Sequence, residues 1–125
     1  LQGTARVVNY AGLVRGETQR VIKLEVSENP DDEMIATVEA IINGLRYGSD
    51  ELDLVRLEDT EFQEKMDELA ADFTELKKEI TKVRQKGYAQ TEIISMSEKF
   101  FRMCDEVTGV AERYSQKRAT RIGSS

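Results

Sequence analysis

The residues with the most chemistry to offer cluster in the first quarter of the chain: Arg15, with Gly12 and Gly16 on either side and Asn9 and Arg20 flanking them. A guanidinium is a rigid donor fork that engages two oxygens together, so Arg15 points to a planar oxyanion. In a helix it shares a stripe with Val8, Ala11, Thr18 and Ile22. An unpaired cation in that setting is strongly disfavoured, so it must meet an acid, a carbonyl, water or a bound anion. Arg20 lies about 140° around the helix from Arg15 and is a flanking charge, not a second prong. Each glycine inside a helix costs about 1 kcal/mol relative to alanine. Spaced four apart beside Ala11 and Thr18, Gly12 and Gly16 make a narrow surface where a second helix could approach. Between the first helices of a symmetric dimer, Arg15 would face its mate, and an anion between them would relieve the repulsion. The alternative is that the glycines accommodate large neighbours while Arg15 pairs with Glu39 or another acid of the same chain.

Other chemistry is thin. With no His, the chain has no His-based triad, no Glu-x-x-His di-iron site and no phospho-accepting histidine, and most zinc sites are excluded. The single Cys104 excludes an internal disulfide and any Cys-x-x-Cys site, and it reads as a small core residue. Neither a G-x-G-x-x-G nor a Walker-type loop occurs. A net charge of -6 and a pI near 4.8 argue against broad nucleic-acid binding. Residues 50–68 hold nine acids and two bases, but without EF-hand spacing, and these acids fall between apolar positions as a solvated face. Paired carboxylates such as Glu61 and Glu64 imply no acid–base catalysis without a cleft. The reading is a soluble, non-enzymatic helical domain with no metal and no cofactor. No apolar run approaches the ~18 residues that span a bilayer, and no signal peptide is visible.

These residues need helices to position them, and the composition supplies helices: 34% charged, 6% aromatic, one Pro and no Trp in 125 residues. The first should run from about Thr4 to Glu28. Asn29 can cap the second, with Pro30 in its first turn and Asp31, Asp32 and Glu33 at its positive end. Ile35, Val38, Ile41, Ile42 and Leu45 follow at core spacing, with a stop near Tyr47-Gly48. Leu52, Leu54, Val55 and Leu57 make residues 49–58 a linker pinned against the bundle. Phe62, Met66, Leu69, Phe73, Leu76, Ile80 and Val83 form a 4-3 seam over the third helix, opened by a Thr60/Gln63 capping box and stopped by Gly87. The same spacing links Ile93, Ser97, Phe100, Cys104, Val107, Ala111 and Tyr114 in the fourth, which should begin between Tyr88 and Thr91. Of Phe100 and Phe101, one should be core and the other a cover for a dimer or linker contact. Four amphipathic segments pack as an all-α, antiparallel up-down-up-down bundle, with long first, third and fourth helices and a shorter second. Both ends then return to one pole, as a domain looped out between two membrane spans requires. Arg113, Lys117, Arg118 and Arg121 carry no intervening acid and suit either anionic headgroups or a solvated helix end.

The run from Asn9 to Arg20 resembles the N-x-A-G-x-x-R-x-x-[ST]-x-R signature of NarX-like nitrate/nitrite sensor kinases and PilJ-like chemoreceptors. Asn9, Ala11, Gly12, Arg15, Thr18 and Arg20 match it. The resemblance implies an extracytoplasmic four-helix sensor domain of a two-span bacterial receptor, working as a homodimer through the first helix. It also implies a small anion held at Arg15, with Asn9, Gly12, Gly16 and Arg20 around it. The output module would be a histidine kinase of a two-component system, a diguanylate cyclase or a chemoreceptor. Residues 1–122 would form this single domain and residues 123–125 an appended tail. Gly16 replaces a bulkier residue, and Glu17 sets a carboxylate beside the site. That departure opens the ligand to a carboxylate, a small amine or none. A ligand-free dimerisation bundle and a cytosolic helical adaptor are the competing functions.

Overall fold

The computed structural model describes the backbone of residues 2–124 and side chains between residues 3 and 118. Its helices are α1 (Gln2–Val26), α2 (Asp32–Tyr47), α3 (Thr60–Lys86) and α4 (Ile93–Ser124), with a 3-10 turn at Tyr88–Gln90. Each helix packs on its neighbours in chain order, and α4 closes back onto α1. This is the expected four-helix bundle. The seven seam residues of α3 are all buried, as are Ile93, Ser97, Phe100, Cys104, Val107 and Ala111 of α4. Val7, Ala11, Val14, Thr18, Val21 and Ile22 make the inward face of α1. Thr4 and Ser115 hydroxyls meet at 3.3 Å, so the start of α1 lies beside the late turns of α4. Among the described residues no helix is long and apolar enough to cross a membrane.

The connections depart from expectation in instructive ways. Asn29 does not cap α2. Its backbone N–H donates to the Leu24 carbonyl and that of Glu28 to Glu25, while Glu28 takes a left-handed φ of 64°. These two bonds are the reciprocal closure that finishes α1 at Val26, short of the predicted Glu28, and they commit Asn29 to the first helix. The α2 cap therefore falls to Asp31, whose carboxylate accepts from the Met34 N–H, and Pro30 lies before the helix. Likewise Asp59, not Thr60, caps α3 by accepting from the Phe62 N–H. Gln63 turns away from any capping box and donates its side-chain amide to the Leu57 carbonyl. Gly48 and Gly87 end their helices at φ of 86° and 83°, as the sequence requires. The α4 helix begins at Ile93, beyond the expected start, because the 3-10 turn takes up Tyr88–Gln90.

The 49–58 linker is pinned. Ser49 and Leu54 exchange backbone hydrogen bonds, Leu54 and Leu57 are buried, and Arg6 of α1 donates to the carbonyls of Leu52 and Asp53. At the opposite pole Glu25, its side chain only 2% exposed, is held by Arg84 of α3, which also donates to Asp32 of α2. One guanidinium thus ties three helices. Arg113, Lys117 and Arg118 are exposed, and Arg113 lies 3.8 Å from Glu61; the side chain of Arg121 lies outside the described residues.

Candidate functional site

The inward face of α1 fixes the orientation of everything else on it. With Ala11, Thr18 and Ile22 packed inside, Arg15 falls on the flank that meets α4, and it is not sealed from water. Its side chain is 44% exposed, and Nη1 donates to Asp105 Oδ1 of α4 at 3.0 Å. The guanidinium lies 5.9 Å from the centre of the Phe101 ring. Its Nε is buried without a hydrogen-bond partner. Arg15 is therefore a half-exposed cation, laid over an aromatic ring and held at one corner by a carboxylate. Glu39 is not its partner; that acid engages Lys77 of α3 instead. One turn on, the hydroxyl of fully buried Thr18 also lacks a partner.

Phe100 is core, as expected of one of the pair, while Phe101 is half-buried and is the platform under Arg15. Cys104, one residue before Asp105, is buried. Burial above all, with the Asp105 charge in support, pushes its thiol up to about 12, against the opposing pull of Arg15.

The other candidates share a different direction. Asn9, Gly12, Gly16 and Arg20 are exposed on the outward face of α1. By helical geometry Gly12 lies about 60° from Arg15, and Gly16 about 100°. An added Cβ at either glycine would meet nothing within 4 Å, so neither accommodates a large neighbour of this chain. Gly16 and Arg20 line a shallow depression with Gln19, Lys23 and Leu24, from which Arg15 is absent. Glu17, expected beside the anion, lies about 200° from Arg15 and takes the opposite flank. The carboxylate that does stand beside the guanidinium is Asp105, ninety residues away in sequence.

No group of three or more potential metal ligands occurs among the described residues. What the arrangement offers is a guanidinium with one corner engaged and an open helical face beside it.

No protein-family model matches the chain, and no curated protein matches it by sequence. A solved structure does. The chain is similar to the ligand-binding domain of the P. aeruginosa nitrate receptor McpN, with a TM-score of 0.76 over 88% of this chain and 96% of that one. The identity is 16%, so what the two share is the fold. That fold is the four-helix bundle expected from the NarX-like and PilJ-like resemblance.

Proposed function

We propose that this domain is the extracytoplasmic input domain of a two-span bacterial receptor and senses a small oxyanion at Arg15. The observation that carries the reading is the coincidence of two independent features. The bundle matches a nitrate receptor's ligand-binding domain over nearly its whole length, and the signature arginine stands half-exposed at the edge of an unfilled helical face. Residues 1–122 act as a single unit. A second copy of α1 packs along Asn9, Gly12 and Gly16, bringing Arg15 and Arg20 to the edges of the seam. The adjacent ends of α1 and α4 suit connection to flanking membrane helices, and the output module is a kinase, cyclase or chemoreceptor module outside this domain. The domain itself needs no cofactor and performs no catalysis.

Ligand binding can shift the receptor only if the anion prefers one arrangement of the helices, since equal affinity for both shifts nothing. The test is a thermal-melting screen over nitrate, nitrite, acetate and other small anions. A ligand at 100 times its Kd should add about 2.7 kcal/mol to stability, and Arg15→Ala should remove that gain. If binding occurs and survives Arg15→Ala, the site lies elsewhere.

One observation favours a second reading, a ligand-free dimerisation module. Arg15 already has a carboxylate partner, and a half-exposed ion pair needs no ligand to explain it. In that case no anion in the screen raises the melting temperature, while the domain still self-associates.

A further inference from the structure

We propose that Asp105 is a built-in competitor for the anion, so that ligand entry must first release the α1–α4 ion pair. This rests on the anion reading above and adds a residue that the N-terminal signature does not contain. Three features carry it. The contact is specific, with Asp105 Oδ1 accepting from Arg15 Nη1 at 3.0 Å. It is also the ion pair that joins α1 directly to α4 among the described residues. Finally, the side-on edge of the guanidinium is closed to a ligand: its Nε is buried without a hydrogen-bond partner, and the guanidinium carbon lies 5.9 Å from the centre of the Phe101 ring.

Nη1 and Nη2 are therefore the edges through which a planar oxyanion can bind in two-point fashion, and Asp105 occupies one of them. A carboxylate and an external oxyanion cannot both take the same N–H edge, and two like charges in contact repel. The pair is the closed state. Its dissociation frees the fork and leaves Asp105 in water, where an acid that is 58% exposed is readily solvated. Apparent ligand affinity is then the intrinsic affinity multiplied by the fraction of molecules whose pair is open. An exposed pair of this kind is weak, so the penalty is small and a ligand at ordinary concentration can overcome it. Binding would remove a direct tie between the helix that carries the signature and the one leading away from it.

The experiment is a calorimetric titration of sodium nitrate, nitrite and acetate into the wild type, Asp105→Asn, Arg15→Ala and Glu112→Gln. Glu112 is an exposed acid two turns further along α4 and controls for removing one negative charge from the surface. The expected result is that Asp105→Asn tightens Kd by roughly two- to fivefold, the range that an exposed pair can impose. Glu112→Gln should change Kd by clearly less, and Arg15→Ala should abolish binding. Equal or weaker binding by Asp105→Asn overturns the competition while leaving the anion site intact, provided Arg15→Ala still fails to bind. Equal tightening by Glu112→Gln also overturns it, because surface charge then accounts for the gain. Absence of binding in all four proteins overturns the anion reading itself and the competition with it. Melting temperatures of the variants separate a folding defect from a binding effect.

Discussion

Arg15 and Cys104 sit on facing elements, and each is governed by what the other helix brings to it. A guanidinium left alone in that groove would draw water to both its edges. Asp105 satisfies one corner and Phe101 supplies a face, while the solvent reaches the remainder. The first-helix signature marked the cation but could not mark its partner, because the pairing depends on how two helices ninety residues apart are phased. A clue did exist: Asp105 follows the seam residue Cys104 and stands four after Phe101, which places it at the edge of the buried stripe. What was missing was the register of the antiparallel pair. Cys104 provides a direct check on that packing. A thiol raised to about 12 by burial is almost wholly protonated at pH 8. Iodoacetamide should therefore label the folded chain at least a hundredfold more slowly than the chain in denaturant, as followed by mass spectrometry. Labelling at the denatured rate would place Cys104 outside the core.

At the scale of elements, periodicity made the helices legible and said much less about where they join. The 4-3 seams of α3 and α4 follow from side-chain spacing alone; every seam residue is buried except Tyr114, which is half-buried, and Glu79 and Val110 are buried besides. Caps are decided by local competition. Asn29, Asp31, Asp59 and Thr60 are all competent caps, and Asn29 lost its place because α1 needed its backbone N–H. Glu79 shows a junction that no local rule contains. From within α3 it accepts the backbone N–H of Glu92, the residue that precedes α4, at 2.8 Å. That bond, foremost, holds its carboxyl below the ordinary value of 4.5, with Lys82 assisting. A carboxyl depressed in the folded state contributes stability that is present above the unfolded value. The contribution fades as pH falls from about 4.5 through the folded value. Glu79→Gln should therefore be less stable than the wild type at pH 7, and the two should converge as the pH is lowered below 4 in urea-unfolding series. A gap that stays constant with pH would mean that the charge of Glu79 contributes nothing. The tie between Arg84 and the buried Glu25 makes a second demand at this pole. Arg84→Ala leaves a carboxylate buried without its donor and should cost about 1–3 kcal/mol in the same measurement.

For the molecule as a whole, the outward face of α1 is where stability and assembly make opposite predictions. Within one chain Gly12 and Gly16 contribute nothing to packing, since a Cβ there would touch no neighbour within 4 Å. Gly44 is the contrasting case: its added Cβ would come within 3.0 Å of Leu54 Cδ1, so that glycine serves the packing of the linker. Gly44→Ala should then cost stability unless Leu54 shifts, whereas Gly16→Ala should add roughly 0.5–1 kcal/mol by restricting the unfolded chain and favouring helix. Chemical denaturation at a concentration low enough to suppress self-association measures both. A helix that keeps two destabilising residues on an open face is more stable without them, unless something outside the chain uses the space. If a second copy packs there, Gly16→Leu should keep or raise the stability of the isolated chain while weakening self-association at least tenfold in sedimentation equilibrium. The same variant should also weaken anion binding in titration, because the seam at whose edge Arg15 lies would be wedged apart. Greater stability with self-association and binding both unchanged would instead leave the glycine face unused by a partner and place the whole recognition site within a single bundle, at the groove between α1 and α4.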